Sequence, residues 1–133
     1  MIPRVIKSTL ITSLDEDTTA WKKAIIYTDD VYGFDMAIVK LTIPKDAAVV
    51  ASKHKCRAPY AKVEGIYPVK PFEPTEPLDE TIAYSYFKYP SIFAYQVGKT
   101  VQEPWFDIDP TNICSRGIHF FRTYIEAADY DFT

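Results

Sequence analysis

The segment from Cys114 to Tyr130, CSRGIHFFRTYIEAADY, limits the fold more than any other stretch of the chain. Gly117 breaks the preceding loop. Ile118, His119, Phe120 and Phe121 then predict a short, largely buried strand, because branched and aromatic side chains suit a packed, pleated surface. Thr123 with Glu126 three residues on predicts a capping box, in which the threonine oxygen accepts from an early helix amide and the glutamate reaches back. Tyr124 to Asp129 continue as two turns of helix, with Ile125 and Ala128 expected to face the strand. A helix this short is marginal in water, so it must be held by packing. The segment therefore demands a sheet on which to dock.

The remaining patterns supply one. From Asp35 to Ile43, Ala37, Val39, Leu41 and Ile43 fall on one face and Met36, Ile38, Lys40 and Thr42 on the other. Ile38 on the mixed face predicts a central strand covered in part on both sides. Pro44 ends it, because proline offers no ladder donor. Trp21–Thr28, Ala47–Ala51 and Tyr60–Tyr67 read as further strands, and residues 1–14 as an edge strand. In Tyr60–Tyr67, alternation sets Ala61, Val63 and Gly65 against Lys62, Glu64 and Ile66. Ser13 and Glu16 also make a capping pair that favours a helix near residues 13–22, whereas the run Ile25, Ile26, Tyr27 favours strand. Thr81–Tyr89 and Ser91–Val97 are aromatic strands around Pro90. Prolines 68, 71, 74 and 77 mark residues 68–80 as an extended polar loop. The segment Ser52–Pro59, with Lys53, His54, Lys55 and Arg57, reads as a solvated basic loop. Glu103–Thr111 reads as a loop with Trp105 and Phe106 plugging the core edge. About seven strands and one short C-terminal helix give an α+β fold with a β-rich antiparallel or mixed sheet, in a single domain over residues 1–133.

Composition restricts the function classes. The 133 residues carry a net charge of −3, which speaks against general nucleic-acid binding. No apolar run approaches the ~20 residues of a membrane span, and the N-terminal segment lacks a signal-peptide core. The expectation is a soluble, intracellular protein. Cys56 and Cys114 are two isolated cysteines without a CxxC pair or a cysteine–histidine cluster, so no metal and no cofactor is expected. Two free buried thiols are the preferred reading, and a Cys56–Cys114 pair is the other. No phosphate loop, HExxH or GxSxG sequence occurs.

The candidate residues have bland alternatives. His119 in an apolar strand reads first as a half-buried histidine satisfied by its neighbours, and second as an imidazole facing a ligand. Cys114 near Arg116, and Cys56 beside Arg57, read as packing thiols before nucleophiles, since a nucleophile also needs a base and an oxyanion site. Tyr84, Tyr86, Tyr89, Phe93 and Tyr95 read as sheet faces before a stacking platform for bases or sugars. Without a complete catalytic set, the leading expectation is a non-catalytic protein-interaction or assembly module. Its partner is another protein or a second copy.

Four segments together, LTIPKDAAVV, KCRAPYAKV, AYQVGKTV and CSRGIHFF, resemble an uncharacterised domain of large DNA virus proteins, often found beside pentapeptide or other repeats. The resemblance spans roughly residues 21–130. It implies a viral origin, with host cytoplasm or virion as location, and no particular activity. Separately, GIHFF with its following helix and Tyr130 is similar to the GIYFA segment of poly(ADP-ribose) polymerases and other ADP-ribosyltransferases. That likeness implies His119 and Tyr130 on the two faces of a nicotinamide ring, with His54 or Arg57 at its ribose. His54 lacks the family's Gly–Thr/Ser neighbours, and no carboxylate-bearing strand follows Tyr130 in this sequence. The likeness thus implies NAD or ADP-ribose binding without transfer.

Overall fold

The computed structural model describes residues 10–28, 33–52, 55–70, 76–85, 93–111 and 115–130. Among the described residues, ten strands form a single sheet in which every pairing is antiparallel, and one short helix follows the last of them. The fold is α+β and β-rich, as the sequence patterns predict. The strands are β1 (Leu10–Ser13), β2 (Thr18–Tyr27), β3 (Phe34–Ile43), β4 (Ala48–Ala51) and β5 (Lys55–Ala58). They continue as β6 (Tyr60–Pro68), β7 (Ile82–Tyr84), β8 (Ala94–Gln96), β9 (Thr100–Gln102) and β10 (Ile118–Phe121). The helix α1 (Tyr124–Asp129) starts where the Thr123–Glu126 capping signal places it and covers the two turns expected.

The spatial order is β1-β4-β5-β10-β2-β3-β6-β9, with β7 and β8 branching from β2. The branch lies on one edge of β2. Trp21 pairs with Phe121 of β10, and Ile25 pairs with Tyr84 of β7. The other edge of β2 pairs with β3 along all ten residues. Gly98, at φ +87°, makes the turn from β8 to β9 in a conformation that disfavours a side chain.

One face of the curled sheet encloses the main core. Ala20, Ala24 and Ile26 of β2 meet Ala37, Val39, Leu41 and Ile43 of β3, with Val63, Ile66, Ile118 and Phe120 around them. The alternation predicted for β3 holds, and Ile38 on its opposite face is fully buried beneath the helix. In β6 the alternation fails for a specific reason. Lys40 pairs with Gly65 and Leu41 with Val63, so Glu64 is an extra residue in a β-bulge. The bulge turns Ile66 onto the same face as Val63, against the strict alternation expected. Glu64 itself accepts a hydrogen bond from Thr42 Oγ1 at 2.7 Å.

The second face carries α1. Tyr124 and Ala127 are buried there with Ile38 and Phe121, and Trp21 packs edge-on against both Tyr67 and Tyr124. The buried helix face is thus one residue out of phase with the expected one. Ile125 is 41% exposed, and Ala128 packs only at the cluster margin. The Glu126 amide donates to Thr123 Oγ1 at 3.2 Å, as a capping box requires, while the Glu126 carboxylate accepts from the same hydroxyl. Four hydrogen bonds from outside hold the short helix. The Tyr124 hydroxyl donates to Pro68 O at 2.5 Å and accepts from Lys70 N at 2.7 Å. Lys23 Nζ donates to Ala128 O and Tyr130 O at 3.0 and 2.9 Å, capping the carbonyl end with a positive charge.

Two further expectations are corrected. Residues 18–22 are strand rather than helix, since β2 begins at Thr18. The sequence KCRA is not a solvated loop but the strand β5, with Cys56, Arg57 and Ala58 all buried. His54 and Lys53 lie outside the described residues.

Candidate functional site

Strand β5 is short, and its alternation sends Cys56 into the main core and Arg57 to the opposite face. Cross-strand register sets Arg57 between Val50 of β4 and His119 of β10. Arg57 is only 1% exposed, a costly position for a cation without compensation. The compensation is backbone. Nη1 donates to the carbonyls of Asp107 and Arg116, the latter at 3.0 Å, and Nη2 donates to the carbonyl of Asp109 at 2.9 Å. The guanidinium also lies 5.5 Å from the Phe106 ring centre. A planar fork with several donors suits this task, and a lysine ammonium does not.

Arg57 thereby clamps one loop from beneath. Other bonds stiffen the same loop. Asp107 N donates to Arg116 O, tying its two limbs together. The carboxylate of Glu103 accepts from Trp105 N, that of Asp107 from Asp109 N, and that of Asp109 from Thr111 N, each at 2.9 Å. Gly117 permits the close approach, because a Cβ there would stand 2.9 Å from Arg57 Cβ and 3.2 Å from the Phe106 ring.

His119 adds a second peg. Its Nε2–H donates to Ser115 O at 2.7 Å, which leaves Nδ1 buried without a hydrogen bond. Burial first, and then the nearby ammonium groups of Lys22 and Lys55, push its pKa down to about 3, so the ring is neutral. The same desolvation, with Lys55, lowers Lys22 to about 8. Burial raises the Cys56 thiol above its ordinary value, as befits a packing cysteine rather than a nucleophile. Cys114 lies outside the described residues.

On the solvent side the clamped loop displays apolar groups. Trp105 is 73% and Ile108 63% exposed, so Trp105 does not plug the core edge as expected, and only Phe106 turns inward. Trp105, Asp107, Ser115 and Arg116 line an open cleft of about 560 Å³. Neither His119 nor Tyr130 lines it. The Tyr130 ring packs 5.2 Å from Phe121, and Lys55 Nζ sits over its face at 5.2 Å. Of the residues named by the ADP-ribosyltransferase likeness, His119, Arg57 and Tyr130 thus share one face of the sheet, with His119 and Arg57 engaged in backbone bonds, and His54 lies outside the described residues. Of the aromatic residues considered as a platform, Tyr95 is fully buried, and Tyr86 and Tyr89 lie outside the described residues. Among the described residues, no group of three His, Cys, Asp or Glu side chains is placed to hold a metal ion, and no helix is long and apolar enough to cross a membrane.

Sequence reasoning missed Arg57 as the organiser of this site. Its acceptors are carbonyls 50 or more positions away, and a carbonyl leaves no trace in residue type. Comparison with known proteins finds no match among curated proteins and none among solved structures. A family model does match over residues 9–127, which takes in nearly all of the described fold and every residue of the clamped loop, and the chain belongs to that family of unknown function, DUF5758.

Proposed function

We propose that this chain is a non-catalytic docking module that engages another protein chain through the loop clamped by Arg57. The observation that carries the reading is the pairing of rigid backbone with exposed apolar side chains. Trp105 and Ile108 face water on a loop whose carbonyls are pinned from below. A side chain displayed on a fixed backbone loses little further freedom on binding, which favours affinity. Tryptophan in such a position is the residue type that most often dominates an interface. The titratable groups nearby support the same reading. Arg57 is committed to structure, His119 is neutral and bonded to backbone, and Cys56 is buried. In the viral setting implied by the sequence resemblance, the docking takes place in the host cytoplasm or the virion.

The test is capture by tagged wild-type protein compared with the double variant Trp105→Ser/Ile108→Ser. Both positions are exposed, so the variant should keep its melting temperature. The expected result is a protein partner recovered by the wild type and lost by the variant. Equal recovery by both would remove the loop from the interface.

A further inference from the structure

We draw no further inference here: the strongest candidate, the cluster of basic side chains that Lys22, Lys55 and Arg57 form around His119 where β5, β10 and β2 run side by side, carries nothing as an anion site, because Lys55, Arg57 and His119 already bond to the protein's own hydroxyl and carbonyl groups and only the lowered pKa values of Lys22 and His119 bring Lys22 into it.

Discussion

Replacing Arg57 with lysine keeps the charge and removes the fork. In the native protein the guanidinium serves three carbonyls, those of Asp107, Asp109 and Arg116. An ammonium on a flexible stem can serve one of them well, so two lose their donor. Hydrogen bonds to a charged group contribute about 1.5–3 kcal/mol each, which puts the loss at roughly 3–6 kcal/mol. The loop lies at the surface, and water can replace part of what is lost, so the lower end, ~3 kcal/mol, is the expected cost. For a domain of this size that corresponds to a fall of about 10 °C in melting temperature. Thermal unfolding by circular dichroism measures this directly. A second readout is local: limited proteolysis should cut Arg57→Lys within residues 105–111 faster than the wild type, well below the melting transition. A variant that melts within a degree of the wild type, with the loop equally protected, would refute the claim that Arg57 organises this segment.

Acid should expose the neutral state of His119. Its folded pKa of about 3 lies below the unfolded 6.5, so the stability it confers is complete above pH 6.5 and is lost as pH falls toward 3. At pH 5 the loss is roughly 2 kcal/mol, and His119→Gln, which can keep a donor to Ser115 O, should show a shallower fall in melting temperature between pH 7 and pH 5. Identical slopes would mean that other groups govern the acid response. Tyr95→Phe removes a buried hydroxyl that has no hydrogen bond, and should raise stability by about 1 kcal/mol in urea unfolding. A loss of stability would reveal a partner for that hydroxyl. Lys23→Met takes the donor from Ala128 O and Tyr130 O, and should speed amide exchange in α1 while leaving β3 protected. Unchanged exchange in the helix would show that its aromatic contacts suffice.

The parts of the fold that were legible in the sequence are those set by neighbours along the chain. The two faces of β3, the limits of β10 and the bounds of α1 follow from alternation and capping, which act within a few residues. What escaped depends on distant partners. The phase of α1 is fixed by where Trp21, Tyr67 and Phe121 leave space, and six residues carry too little pattern to reveal it. The bulge at Glu64 is a mismatch between β3 and β6, invisible in either strand alone. β5 was masked by its own charges, because lysine and arginine are expected at the surface and Arg57 is buried only by virtue of carbonyls contributed from residues 107–116. Trp105 looked like core by residue type, and only the clamp beneath the loop shows why it faces outward.

The position of β10 has a consequence for how the protein is made. Among the described strands it comes last in sequence, yet it lies in the middle of the sheet, between β5 and β2. Until the ribosome has released it, β1-β4-β5 and β2-β3-β6 face each other as half-sheets, each with an unsatisfied edge. Such edges invite pairing with other nascent chains. Closure needs contacts of long sequence separation, Phe121 with Trp21 and Phe120 with Cys56, and these form slowly. A ribosome stalled before residue 118 would therefore hold a chain whose halves are ready and whose seam is missing.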